Sequence, residues 1–131
     1  MHILLNAHFI LLIMVFVTVS KPWGSYTDFV REPNYVSKEL TVNPGQRLSL
    51  QSHTYREEHW VCVEGSGTAL IGEEEKPLSV GSYVFVPRLT RHRITNNGNG
   101  LLRVMEVQTG ECREDDIVRY ADDFGREGTN N

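Results

Sequence analysis

Apolar and polar residues alternate in short runs along most of the chain after Trp23. Such runs occupy residues 36–42 (VSKELTV), 47–53 (RLSLQSH) and 101–107 (LLRVMEV), among others, and Gly, Pro or Asn residues separate them. Alternation with a period of two is the pattern of a β-strand that has one buried face. Strands that are this short and this evenly spaced are typical of an all-β sandwich or barrel.

Two segments depart from the alternation. Residues 3–19 (ILLNAHFILLIMVFVTV) are almost wholly apolar, which fits a signal-peptide core, a marginal membrane anchor or sequence added by an upstream start site. We therefore assign residues 1–20 to an apolar N-terminal segment and residues 21–131 to a single folded domain. Near the other end, residues 114–125 (EDDIVRYADDFG) predict a short helical turn that Asp115 or Asp116 caps.

Size, charge and cysteine usage narrow the function classes. The chain has 131 residues, 40% hydrophobic and 23% charged, which indicates one globular domain. A net charge of −4 argues against a nucleic-acid surface, although arginines can still converge locally on a small anionic ligand. Cys62 and Cys112 form no CxxC pair, so we expect free thiols and a cytoplasmic protein. Export or membrane anchoring through residues 3–19 is the alternative.

A group of metal-binding side chains interrupts the alternation at residues 48–60 (LSLQSHTYREEHW). Within a strand, Gln51 and His53 share one face and lie roughly 7 Å apart. Glu58 begins the next alternating run, and His92 opens another run after the turn PRLTR. Two imidazoles, a carboxylate and an amide oxygen can together bind one divalent ion if these strands adjoin. The alternative is a set of ordinary polar side chains at the mouth of a barrel, with no ion.

The spacing around these residues resembles the two sequence motifs of the cupin family. Gly45 precedes Gln51 by six positions, and Gly81 precedes Pro87 by six positions. This resemblance implies a double-stranded β-helix, or jelly-roll, barrel. Two departures stand out: Gln51 replaces the usual first histidine, and Leu89 stands where the second motif usually has glycine.

Three stretches narrow the resemblance further. They are residues 21–26 (KPWGSY), 41–67 (TVNPGQRLSLQSHTYREEHWVCVEGSG) and 114–126 (EDDIVRYADDFGR). Together they are similar to the C-terminal isomerase domain of type II mannose-6-phosphate isomerases, a family in which glutamine is usual at the first ligand position. Thr54 and Tyr55 replace histidines that are common in that family. There the domain often follows a mannose-1-phosphate guanylyltransferase domain.

The resemblance implies a ligand set, an activity and a substrate. One divalent ion would be held by four side chains: Gln51, His53, Glu58 and His92. Zn²⁺ is the expected ion, with Mn, Co, Mg or Ni as alternatives. The implied activity is the interconversion of mannose 6-phosphate and fructose 6-phosphate in mannose and polysaccharide precursor metabolism. The expected partners are a small-molecule sugar phosphate and a second copy of the chain, because cupins of this size often pair through their sheets.

Four further side chains are candidates for catalysis or substrate binding. Lys38 and Glu106 each share a strand face with apolar neighbours, which predicts that both point into the barrel and can act as the base. A surface position for Lys38 and a structural ion pair for Glu106 are the alternatives. Arg56 lies between two predicted ligands, where it can reach a phosphate or an enediolate oxygen, and Arg93 flanks His92.

Two other function classes stay open. The first is another cupin enzyme, either an isomerase for a different sugar phosphate or a dioxygenase. Since a facial iron site takes two histidines and one carboxylate, Gln51 as a fourth ligand weighs against the dioxygenase. The second class is a non-catalytic sugar-binding or regulatory cupin. For the isomerase itself, proton transfer and a metal-assisted hydride shift both fit the sequence.

Overall fold

The alternating runs form eleven strands within residues 16–129, which are the residues that this computed structural model describes. In chain order the strands are β1 (Thr18–Lys21), β2 (Gly24–Glu32), β3 (Tyr35–Val42), β4 (Leu50–Ser52), β5 (Arg56–Glu64), β6 (Gly67–Ile71), β7 (Glu74–Leu78), β8 (Tyr83–Val86), β9 (His92–Thr95), β10 (Leu102–Gly110) and β11 (Val118–Ala121). The all-β class predicted from the sequence is confirmed.

The strands form two antiparallel sheets. One sheet has six strands in the order β1-β2-β3-β10-β5-β8, and the other has five in the order β11-β4-β9-β6-β7. The buried apolar side chains of both sheets pack into one core. Short strands joined by tight turns therefore fold into a two-sheet barrel, as the turn residues of the sequence predict.

The inward-facing positions change from apolar to polar along the central strands of the larger sheet. On β10, the inward residue Val104 lies opposite Cys62 of β5, and both side chains are fully buried. Two positions further along β10, the inward residue is Glu106, and it lies opposite Trp60. Because the strands are in register, one end of the barrel is an apolar floor and the other end holds buried polar groups.

The C-terminal segment differs from the sequence prediction. Within residues 16–129 no helical turn forms, and Val118–Ala121 is a strand that pairs with β4. Asp116 does not cap a helix. Its carboxylate accepts hydrogen bonds from the backbone N–H groups of Thr54 (2.7 Å) and Tyr55 (2.8 Å). Pairing with β4 satisfies the backbone of this segment, which a single helical turn would leave mostly unpaired.

The described part of the N-terminal segment joins the larger sheet. Strand β1 begins at Thr18 and pairs with β2, and the Thr18 and Thr27 hydroxyls are 2.8 Å apart. The predicted boundary at residue 20 therefore falls inside a strand, while residues 1–15 lie outside the described residues. Among residues 16–129, no helix has the length and apolar character needed to cross a membrane.

The turn before β9 keeps its left-handed conformation without the usual glycine. Leu89 has a φ of 63°, and it is the one non-glycine residue with positive φ in the described part of the chain. Its backbone N–H donates to the carbonyl oxygen of His53 at 2.7 Å. Leu89 therefore takes a conformation that glycine adopts freely, at the cost of backbone strain of about 1 kcal/mol.

Candidate metal centre and the cavity around it

Three predicted metal ligands converge at the polar end of the barrel. Strand β9 carries His92 beside β4, where Gln51 is its register partner, and β5 brings Glu58 from the other sheet. His53 follows β4 directly. The nearest ligand atoms of His53, Glu58 and His92 all lie within 4.8 Å of one another, and all three residues are buried. This cluster can hold one metal ion.

Backbone carbonyls orient both imidazoles toward the centre of the cluster. Nδ1 of His53 lies 2.6 Å from the carbonyl oxygen of Asp116, and Nδ1 of His92 lies 2.9 Å from that of Thr90. A carbonyl oxygen can only accept, so each Nδ1 carries a proton and each Nε2 faces inward. Fixing the ring through the nitrogen opposite the ligand atom is the usual arrangement of a metal-binding histidine.

The charges inside the cluster favour a bound cation. His53 Nε2 lies 3.0 Å from Oε2 of Glu58, so a proton or a cation has to lie between these atoms. Burial lowers the pKa of His92 to about 4, which keeps its imidazole neutral at pH 7. Burial alone would raise the pKa of Glu58, but the adjacent His53 and, after it, His92 and Arg56 outweigh burial and hold that pKa well below its ordinary value. One carboxylate and two imidazole nitrogens are thus presented to an ion.

Gln51 lies beside this cluster with its amide oriented by a neighbour. Its Nε2 donates to the hydroxyl of Ser49 at 3.0 Å, and its backbone is the register partner of His92. With the nitrogen directed at Ser49, the carbonyl oxygen Oε1 is the end of the amide that an ion can use. The donor set therefore combines nitrogen and oxygen atoms, which Zn²⁺ and other first-row divalent ions accept. The assignment of Gln51 as a ligand stays a prediction.

The guanidinium of Arg56 lies against the cluster. Its Nη2 lies 3.0 Å from Oε2 of Glu58 and 3.3 Å from Nε2 of His53. Its Nη1 donates to the carbonyl oxygen of Arg113 at 3.3 Å. The guanidinium is therefore held next to the ligand atoms, where it can bind an oxygen of a substrate that contacts the ion.

Glu106 points inward and is buried, as its strand face predicts. The indole N–H of Trp60 donates to both carboxylates, at 3.1 Å to Glu58 and 3.2 Å to Glu106. Gln108 donates to the second oxygen of Glu106 at 2.7 Å. Burial and, after it, the charge of Glu58 raise the pKa of Glu106. A carboxyl group near the cluster is thus held in place by two N–H donors and retains a proton more readily than an exposed one.

Lys38 and Arg93 both line the same cavity. The Nζ of Lys38 lies 3.6 Å from a carboxylate oxygen of Asp28 and 4.5 Å from the centre of the Tyr26 ring. The backbones of Lys38 and Glu106 are register partners on β3 and β10. Arg93 donates to the carbonyl oxygens of Leu48 (2.9 Å) and Ala121 (3.3 Å), so it links the segment before β4 to β11.

The cavity has a volume of about 310 Å³, at the small end of ligand sites. Eight of the described side chains that line it are Lys or Arg, and only three are Glu. Local convergence of cations within a chain of net charge −4 makes the cavity suited to a small anion. Lys21, Arg119 and Arg126 belong to this lining and were not among the predicted site residues. Reading residues 118–121 as an alternating strand would have placed Arg119 on an inward face.

Sequence comparison identifies the family. The family model described as "Mannose-6-phosphate isomerase C-terminal" matches residues 12–122. A mannose-1-phosphate guanylyltransferase of Sinorhizobium fredii is 37% identical over 84% of this chain and 22% of its own length. The xanthan biosynthesis protein XanB of Xanthomonas campestris is 40% identical over 82% of this chain and 23% of its own length. The chain thus spans less than a quarter of the length of these curated relatives.

Structure comparison identifies the fold. A cupin-2 domain from Rhodospirillum rubrum superposes with a TM-score of 0.65 at 13% identity, covering 76% of this chain and 71% of that one. A cupin 2 conserved barrel domain protein from Rhodopseudomonas palustris superposes with a TM-score of 0.64 at 20% identity, covering 76% of this chain and 74% of that one. The cupin barrel predicted from the motif spacing is therefore confirmed.

Proposed function

Because the chain belongs to the mannose-6-phosphate isomerase C-terminal family, we propose that it is a metal-dependent isomerase that interconverts mannose 6-phosphate and fructose 6-phosphate. One observation carries the proposal. A cluster of three potential ligands, His53, Glu58 and His92, opens into a cation-lined cavity that also contains the buried carboxyl group of Glu106. These three features together suit an aldose–ketose isomerase that acts on a phosphorylated sugar.

The reaction moves a proton from C2 to C1 of the sugar and a second proton from the C2 hydroxyl to the C1 carbonyl oxygen, which becomes the C1 hydroxyl. A divalent ion held by the cluster would supply Lewis-acid stabilisation of the negative charge that develops on the sugar oxygens. His53, Glu58, His92 and the Gln51 amide oxygen are the groups that would hold it. Arg56, 3.0 Å from Glu58, is placed to donate to one of those sugar oxygens.

Glu106 is the proposed base. Its carboxylate would take the proton from C2 and return it to C1, while N–H donors from Trp60 and Gln108 keep its orientation fixed. A raised pKa makes a carboxylate a stronger base, which improves proton abstraction from a weakly acidic carbon. Glu58 is less suited to this role because an ion would occupy its lone pairs. Lys38 stays the second candidate, and a hydride shift between the two carbons stays the mechanistic alternative.

The names of the relatives support a place in mannose metabolism. They include a mannose-1-phosphate guanylyltransferase and a xanthan biosynthesis protein, each of which contains a region similar to this chain. We accordingly propose that the chain supplies mannose 6-phosphate for activated sugars and polysaccharides. Zn²⁺ as the ion, a homodimer and a cytoplasmic location stay predictions.

The proposal is tested by a coupled assay on the full chain. Purified protein is stripped of metal, loaded with Zn²⁺, Mn²⁺ or Co²⁺, and supplied with fructose 6-phosphate, and formation of mannose 6-phosphate is measured with and without a chelator. We expect turnover that requires the metal and is absent in His53→Ala. Tight binding of mannose 6-phosphate without turnover under any metal would instead indicate a non-catalytic sugar-binding cupin. Turnover of a different sugar phosphate alone would change the assigned substrate.

A further inference from the structure

We propose that Lys21 and Arg119 form the subsite that binds the phosphate group of the substrate. This inference rests on the proposed function and assigns the phosphate to two residues that the sequence motifs did not mark. Both side chains line the cavity that contains the metal cluster. Lys21 ends strand β1, and Arg119 lies on strand β11, so the subsite combines side chains from the first and the last of the described strands.

The position of Arg119 relates the subsite to the metal cluster. Arg119 is the register partner of Gln51 on β4, and Gln51 is the register partner of His92 on β9. Register partners in neighbouring strands present their side chains on the same face, with the strands about 4.8 Å apart. Arg119 therefore occupies the same row as two predicted ligands and lies two strands from His92. A sugar in contact with the ion can extend its far end toward that side chain.

The Arg119 guanidinium has a donor that the protein does not use. Its Nη1 donates to the carbonyl oxygen of Thr129 at 3.0 Å, while its Nε is buried and has no hydrogen-bond partner among residues 16–129. Buried N–H groups are almost always paired with an acceptor in native proteins. An anion in the cavity would supply the acceptor.

Lys21 adds a second positive charge that is not neutralised nearby. It makes no ion pair within the described part of the chain, and its Nζ lies 5.9 Å from the centre of the Tyr26 ring. Burial lowers its pKa, and the charges of Arg126 and Arg119 lower it further. Three cations therefore converge here, and Asp122, whose charge acts on Arg119, already forms an ion pair with Arg126 at 2.9 Å.

The other cations of the cavity already have partners. Five of them form ion pairs with acidic side chains: Arg31, Lys38, Arg56, Arg113 and Arg126. Arg93 donates to two backbone carbonyl oxygens. Among the lining cations, Lys21 and Arg119 therefore form no ion pair with the described residues, and Arg119 donates to one backbone carbonyl oxygen where Arg93 donates to two.

The chemistry of the pair fits a phosphate monoester. Such a group carries a charge of about −1.5 to −2 at pH 7 and three acceptor oxygens. The planar guanidinium of Arg119 can donate to two of those oxygens, and the Lys21 ammonium can donate to the third as a point charge. With the phosphate bound there, Arg56 keeps its place beside Glu58, next to the ion.

The test compares phosphate binding and kinetics in matched variants. Lys21→Gln, Arg119→Gln and Arg119→Lys are prepared with Arg103→Gln as the control. The control removes the same charge, but Arg103 is ion-paired with Glu39 and Glu64 and does not line the cavity. Inorganic phosphate is titrated into each metal-loaded protein by calorimetry in a buffer without other oxyanions, and kcat and KM are measured for mannose 6-phosphate. Circular dichroism checks that each variant is folded.

We expect the affinity for inorganic phosphate and the KM for mannose 6-phosphate each to worsen by about 10- to 100-fold in the two glutamine variants, with kcat nearly unchanged. Arg119→Lys should recover part of the loss, and Arg103→Gln should behave as wild type. Unchanged phosphate affinity in folded Lys21→Gln would overturn the inference, as would a loss of binding confined to an added Arg56→Ala variant. If the wild type binds phosphate through Lys21 and Arg119 but turns over no sugar phosphate, the subsite stands and the isomerase activity is refuted.

Discussion

Replacing Asp116 by alanine is expected to weaken the fold and the metal centre together. The Asp116 carboxylate accepts two backbone hydrogen bonds from the turn between β4 and β5, at 2.7 Å from Thr54 and 2.8 Å from Tyr55. The backbone oxygen of the same residue accepts the Nδ1 proton of His53 at 2.6 Å. One residue therefore fixes both the turn that separates two predicted ligands and the orientation of one of them.

The size of the effect follows from the two lost bonds. A hydrogen bond to a charged acceptor contributes about 1.5–3 kcal/mol. Thr54 and Tyr55 are exposed residues, so water can replace part of the lost interaction and the lower value applies. We expect a loss of about 3 kcal/mol in the free energy of unfolding. At about 4 °C per kcal/mol for a domain of this size, the melting temperature should fall by about 12 °C.

The metal centre should respond in the same variant. Because the Asp116 carbonyl oxygen remains but loses its alignment, the affinity for Zn²⁺ should fall by about 10-fold, the lower end for groups that orient a metal ligand. Denaturant unfolding of the metal-free protein and competition with a chromophoric chelator measure the two effects. Asp115→Ala is the matched control, since Asp115 is exposed and adjacent. Equal behaviour of the two variants would refute the reasoning.

Three further sets of substitutions test the metal cluster, the proposed base and the Asp122–Arg126 ion pair. Alanine at His53 or His92 should abolish metal binding with the β-sheet circular dichroism retained, and full occupancy in both would contradict the ligand assignment. Glu106→Gln should lower kcat by about 10²- to 10⁴-fold at unchanged metal content, whereas loss of turnover only in Lys38→Ala would reverse the two roles. Burial would raise the pKa of Asp122, but bonds from its arginine partner outweigh it and lower the pKa below the ordinary 3.8. The ion pair with Arg126 therefore stabilises the fold fully above about pH 5, and this stabilisation is lost as the pH falls through the folded pKa of Asp122. Asp122→Asn should accordingly reduce the loss of unfolding free energy at acid pH. An unchanged loss would contradict the pairing.

Much of the metal cluster can be predicted from the sequence because the direction of each side chain depends on neighbours in the same strand. Within an alternating strand, the inward direction of Glu58 and Glu106 follows from their apolar neighbours on the same face. The spacing of the two motifs then identifies which strands lie side by side, and the pairing of Gln51 with His92 agrees with it. At the position of the motif glycine, Leu89 has the positive φ that glycine adopts most readily.

The C-terminal segment could not be predicted in the same way because its structure depends on a distant partner. Asp115 and Asp116 precede IVRYA, and aspartate is a common N-cap residue, so the local sequence favours the start of a helix. The segment becomes strand β11 because it pairs with β4, which precedes it by more than sixty residues. The same long-range pairing brings Arg119 beside Gln51. Because the segment was predicted to be helical, the inward position of Arg119 in the cavity was not predicted. The ion pair of Lys38 with Asp28 likewise depends on the register of β2 against β3.

The segment from Asp116 to Arg126 links the closure of the barrel to both halves of the site. Asp116 orients His53, Arg119 lines the cavity, and Arg126 lines it too and forms an ion pair with Asp122. Loosening this segment should therefore reduce metal affinity and phosphate affinity at the same time, although it contains none of the predicted metal ligands. If both affinities fall together, the segment positions the side chains of the site. If the segment only shielded the cavity from solvent, metal affinity would not change.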